Sequence, residues 1–215
     1  LAKEIIDLVR SHMIFPVVFT FIMPLVFLYA VTWFIESVMF LNSDFSLLFY
    51  AGMVGFFCTM LYSWLSNIDI SECYNTLPLS MPHVIRTKLI LFFTFTVIVA
   101  VPYLITIGLL KHETQLLWIS LFIMLTVSTY VGSVVAYLTG LFTNSYLLDA
   151  KILFQFAAAV VPVLVAQTLL SFYYQINDNI ATFCTAGLGI LLIAASMIIL
   201  DRLDTQWKST MFRIA

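Results

Sequence analysis

Six runs of this chain contain no Asp, Glu, Lys or Arg: residues 11–35, 45–68, 89–110, 115–148, 152–177 and 179–200. Each is at least the ~20 residues that a helix needs to cross about 30 Å of hydrocarbon. The chain is 63% hydrophobic and only 9% charged, whereas a soluble domain carries roughly 25% charged residues to face water. Lipid is the solvent that fits. In lipid every backbone polar group must be satisfied internally, which a helix does within one segment. The expected fold is therefore an all-α membrane protein. Six transmembrane helices are predicted near 13–35, 45–66, 84–110, 115–142, 151–172 and 180–200, as one domain over 13–200. Asn144 and Ser145 mark where the long fourth run leaves the membrane.

Orientation follows from the bases. With six spans both ends lie on one side, and Lys3, Arg10, Arg86, Lys88, Lys151, Arg202, Lys208 and Arg213 share it. Only Lys111 falls on the other side. The positive-inside rule then predicts a multi-pass protein with both termini cytoplasmic. Leu1, Ile5, Leu8 and Val9 recur at helical spacing, with Lys3, Glu4, Asp7 and Arg10 mostly on the other face. Residues 1–12 thus read as an amphipathic helix lying in the interface plane. Residues 201–215 read as a juxtamembrane tail, with Trp207, Lys208, Phe212 and Arg213 suited to the headgroup region. The first apolar run is too long for a secretory leader and lacks a small-residue cleavage site. A net charge of -2 with no basic run gives no nucleic-acid signature. Cys58, Cys73 and Cys184, odd in number and far apart, read as apolar fillers and one loop thiol.

One cytoplasmic segment breaks the apolar pattern: "NIDISECYNTLPLSMPHVIRTK", residues 67–88. Asp69 and Glu72 have capping-box spacing, and both acids favour the positive end of a helix. Residues 70–76 then make about two turns, and Pro78 ends them. Ser80 caps a second helix start, with Pro82 in its first turn. The segment reads either as a rigid capped helix that transmits force or as a connector that hides two span ends.

"ECYNTLPLSMPHVIRTKLI" resembles the first intracellular loop of ABC-2 type transporter permeases, the membrane subunits of ATP-binding cassette exporters. The carrying positions are Glu72, Leu77-Pro78-Leu79-Ser80 and Lys88. The order of parts (elbow helix, six spans, cytoplasmic termini) is similar over nearly the whole chain. The resemblance implies the ABC-2, type V exporter-like architecture and a half-transporter that pairs with a second permease subunit, identical or not. Separate ATPase subunits would dock beneath, and the plasma membrane would be its location. It makes 69–77 a coupling helix, with Asp69, Ile70, Ser71, Glu72, Cys73, Tyr74, Asn75 and Leu77 against the ATPase. Asn144, Ser145 and Tyr146 in the second cytoplasmic loop would make a smaller contact. Many family members carry a re-entrant helix between spans five and six; here only "YYQINDN", 173–179, is clearly polar.

No catalytic cluster is legible. Lys208-Ser209 is the sole Lys-Ser/Thr pair and has no glycine near it, so there is no phosphate-wrapping loop. ATP and Mg are expected on the partner ATPase, with no cofactor in this chain. No charged residue falls at mid-depth, and His12, His83 and His112 sit at span ends, which disfavours an embedded enzyme or a proton-coupled carrier. Thr126, Thr129, Tyr130, Ser133 and Tyr137 form one polar stripe on span four, beside the small row Gly132, Ala136 and Gly140. The stripe, with Gln155 and Gln167 of span five, either lines a path or bonds to neighbouring helices. The small row permits close helix approach. A path so weakly polar and aromatic suits lipids or amphipathic compounds. The competing expectation is a non-transporting scaffold that holds other subunits in the membrane.

Overall fold

The computed structural model describes residues 14–38, 45–67, 81–141 and 149–207. The elbow segment 1–12, the segment 69–77, the loop residues 143–148 and the last residues of the tail lie outside them. Among the described residues the architecture is helical. In chain order the helices are α1 (Ile14–Val38), α2 (Leu47–Phe57), α3 (Thr59–Asn67), α4 (Met81–Leu110), α5 (Leu117–Thr139), α6 (Ala150–Tyr173) and α7 (Asp178–Trp207). By length and composition, five spans are long and apolar enough to cross a membrane: Leu47–Ser66, Met81–Leu110, Thr114–Thr139, Ala150–Tyr173 and Asp178–Trp207. α1 is 25 residues long, and Phe21–Ser37 within it is apolar. The chain is a multi-pass helical membrane protein.

Helices α2 and α3 together form the second span, which is broken at Cys58. No proline lies near the break, whereas Pro24, Pro102 and Pro162 sit inside continuous helices. The cause is local competition for carbonyls. The Thr59 hydroxyl donates to Phe56 O at 2.9 Å, and Leu61 N turns to Cys58 O at 3.0 Å. Side-chain bonds of this kind bend helices. The last helix runs to Trp207, well past the expected end near 200, and α4 starts at Met81 rather than 84. The extension of the last helix carries Asp201, Arg202 and Asp204 on continuous helix.

α5 is the centre. It packs on α7, on α2 and on α4, and Val127, Val131, Ser133 and Ala136 have no exposed surface. α1 and α6 lie at the periphery. α6 buries only Val160, Gln167 and Ser171. Phe19, Phe27, Phe154, Phe183 and Leu191 project outward, a surface suited to acyl chains.

Charged groups set the helix ends where Val38, Leu110 and Tyr173 lie, here named the Glu36 end. Lys111, expected as the sole base on its side, meets the Glu36 carboxylate at 2.6 Å and sits 5.5 Å from the Tyr50 ring centre. Glu36 also accepts from Phe45 N at 2.8 Å, and Glu113 accepts from Leu47 N at 2.6 Å. The two carboxylates thus serve the start of α2, where a helix favours negative charge. Ser46, the N-cap of α2, instead bonds to the Ser171 hydroxyl at 3.0 Å and ties α2 to α6. Burial in the turn after α6 pushes the Tyr174 phenol up from its ordinary value, and the Asp178 and Glu113 carboxylates push the same way.

α4 ends in a Schellman arrangement. Glu113 N bonds to Gly108 O at 2.9 Å, His112 N bonds to Leu109 O at 3.3 Å, and His112 takes φ 57°. Glycine is the usual residue there, because a side chain costs roughly 1–2 kcal/mol in that conformation. His112 is exposed. Replacing it with glycine should therefore raise stability by about 0.5–1 kcal/mol after the entropy of the unfolded chain is charged. Thermal melting in nanodiscs checks this.

Candidate functional site

The opposite, Lys88 end of the bundle carries both polar segments singled out in the sequence, 68–80 and 142–148. Residues 68–80 join α3 to α4, and 142–148 join α5 to α6. The last four carbonyls of a helix have no intrahelical partner. At this end side chains from neighbouring helices supply the missing donors.

Lys88 lies seven residues after Met81, about 10 Å along the helix. It is 1% exposed, and its Nζ donates to Leu65 O at 2.7 Å. A cation at the C-terminal end of α3 also complements the helix dipole. The expected headgroup lysine is thus a buried cap. α5 stops at Gly140, which holds φ 57° and ψ -118°. Tyr62 Oη donates to Gly140 O at 2.9 Å, and Trp207 Nε1 donates to Tyr137 O at 3.2 Å. The indole lies so close that a Cβ on Gly140 would fall 2.6 Å from Trp207 Cζ2. Arg86 Nη2 and Asp204 Oδ2 meet at 2.8 Å with both side chains half exposed. Exposed pairs of this kind stabilise by about 0–1 kcal/mol.

The proposed ATPase-contact residues Asp69, Ile70, Ser71, Glu72, Cys73, Tyr74, Asn75, Leu77, Asn144, Ser145 and Tyr146 lie outside the described residues. The helices from which the two segments leave, α3 and α5, are described, and their ends are the capped ones above.

The stripe on α5 faces inward. Thr126 and Ser133 are buried, and Thr129 and Tyr130 are partly buried. Thr126 Oγ1 donates to Ile123 O at 3.0 Å, Thr129 Oγ1 to Thr126 O at 2.8 Å and Ser133 Oγ to Thr129 O at 2.7 Å. These hydroxyls satisfy themselves on their own helix. Tyr130 reaches further and donates to Ala159 O of α6 at 3.1 Å. Tyr137 contributes its carbonyl to Trp207. Gln155 is exposed, whereas Gln167 is 3% exposed and lies flat over Gly52 of α2. The two glutamines are not brought together. A separate apolar groove of about 750 Å³ runs between α6 and α7, past Leu169, Tyr173, Cys184, Gly187 and Leu191. None of the predicted stripe residues lines it.

Among the described residues no group of three His, Cys, Asp or Glu side chains could hold a metal ion. Sequence reasoning missed the cap role of Tyr62 and placed Trp207 at the headgroups. The available signal was Gly140, a glycine closing a long apolar helix, which marks a C-terminus whose carbonyls need donors. Comparison with known protein families, with curated proteins and with solved structures finds no match.

Proposed function

We propose that this chain is the permease subunit of an ATP-binding cassette transporter of the ABC-2 type. It exports a lipid, an amphipathic drug or another hydrophobic compound across the plasma membrane. Two permease subunits form the pathway, both termini are cytoplasmic, and separate ATPase subunits bind ATP and Mg. The observation that supports this reading best is the Lys88 end. The segment with capping-box spacing springs from two helices whose roots are joined by a buried lysine. A helix seated on a rigid base transmits a push; a floppy connector would not.

One observation favours a membrane scaffold instead. The hydroxyls of Thr126, Thr129 and Ser133 bond within α5 rather than facing an open path.

The deciding experiment uses Glu72→Ala and a Gly-Gly replacement at Leu77-Pro78. In proteoliposomes with the co-purified ATPase, both should retain ATP hydrolysis and lose most substrate-stimulated transport. Crosslinking from Cys73 should reach a phosphate-binding-loop ATPase. Normal stimulated transport in both variants, or a pull-down from native membrane with no ATPase, sinks the permease reading and leaves the scaffold.

A further inference from the structure

We infer that the Lys88 end is a closed ring of side-chain caps that makes the roots of both cytoplasmic segments one mechanical unit. Four contacts close it. Lys88 of α4 holds Leu65 O of α3, and Tyr62 of α3 holds Gly140 O of α5. Trp207 of α7 holds Tyr137 O of α5, and Asp204 of α7 returns to Arg86 of α4. The sequence order of these helices is α3, α4, α5, α7, yet the ring joins them in the spatial order α4, α3, α5, α7.

The position of the ring gives it a consequence. Segment 68–80 leaves from α3 and re-enters at α4. Segment 142–148 leaves from α5, just past Gly140. Tyr62 is therefore a direct polar link between the root of one segment and the root of the other. It has no exposed surface, and its ring stacks edge-on against Phe92 of α4 at 5.9 Å. A hydrogen bond in such a setting is stronger than one in water. A displacement entering through 68–80 is delivered by the Tyr62 hydroxyl to α5, and by α5 to Trp207 and α7. Coupling of this kind needs a contiguous physical network, and here each step is a named bond. As a route for force from an ATPase, the ring rests on the function proposed above; as a mechanical unit it does not.

Amide hydrogen exchange on the full chain in nanodiscs tests the ring without any partner. Tyr62→Phe removes one hydroxyl and keeps the packing. It should raise exchange about three- to tenfold both at 137–141 and at 63–66. Trp207→Ala loosens α5 and α7 directly, and should also raise exchange at 63–66 of α3, which α5 reaches through Tyr62. A rise confined to 137–141 and 203–207 after Trp207→Ala, or no change after Tyr62→Phe, overturns the ring. If Trp207→Ala does not fold, Trp207→Phe, which removes the indole N–H and the five-membered ring but keeps an aromatic side chain, is read the same way. Capture of an ATPase is scored separately, so its failure removes the proposed function and leaves the exchange result standing.

Discussion

Gly140→Ala is expected to cost about 2–5 kcal/mol, the sum of a backbone penalty and a steric one. The backbone term comes from φ 57° and ψ -118°, a region that an L side chain rarely enters. The steric term comes from Trp207. A Cβ would sit 2.6 Å from Cζ2 and 2.8 Å from Cε2 and Cη2 of the indole. The ring cannot slide away cheaply, because its Nε1 is bonded to Tyr137 O. The variant should melt well below the wild type in nanodiscs. Pairing it with Trp207→Ala separates the two terms. The double variant should be less destabilised than the sum of the singles, because the indole clash is gone and the φ penalty remains. Wild-type melting of Gly140→Ala would mean that α5 does not end in this way.

The spans were legible because charge is too costly to leave in hydrocarbon, so its absence over 20 residues carries the fold by itself. What lay inside the spans was harder to read. The break at Cys58 depends on the Thr59 hydroxyl taking the Phe56 carbonyl, and no proline advertises it. The polar stripe on α5 was visible as periodicity. Its meaning was not, because in lipid a hydroxyl takes the nearest acceptor, three or four residues back. Gln155 and Gln167 are 12 residues apart, which places them about 120° apart around a helix. One faces outward and the other inward, as the structure shows. The small row on α5 does permit close approach, but to two different neighbours. Gly132 meets Phe92 of α4, and Gly140 meets Trp207 of α7. The two helices that pack most extensively on α5 also bring glycines of their own to it, Gly55 of α2 and Gly189 of α7. Which glycine faces a neighbour depends on how each helix is rotated, and the sequence of one helix does not state that.

Gly55→Ala should destabilise by about 1–3 kcal/mol, although it adds a single methyl group to a helix. Helices in lipid gain little from apolar burial and depend on close packing. At Gly55 the new Cβ would lie 2.8 Å from Val127 Cβ, 2.9 Å from Val127 Cγ1 and 3.2 Å from the Met124 carbonyl oxygen. The first two neighbours are stiff, and the third is backbone, so α2 must move away from α5. Val127→Gly removes the first two contacts and leaves the third. In the double variant the pair should therefore couple favourably by about 1 kcal/mol or more, without full recovery. Simple additivity would place the α2–α5 crossing elsewhere. Gly187 provides the control, because a Cβ there meets nothing within 4 Å. Gly187→Ala should be neutral or stabilise by up to about 1 kcal/mol through helix propensity alone. One substitution type thus has opposite expected signs at two helical glycines. The difference is α5, the helix that stands opposite Gly55, and Gly55 lies on the span that leads on through α3 to Tyr62 and segment 68–80.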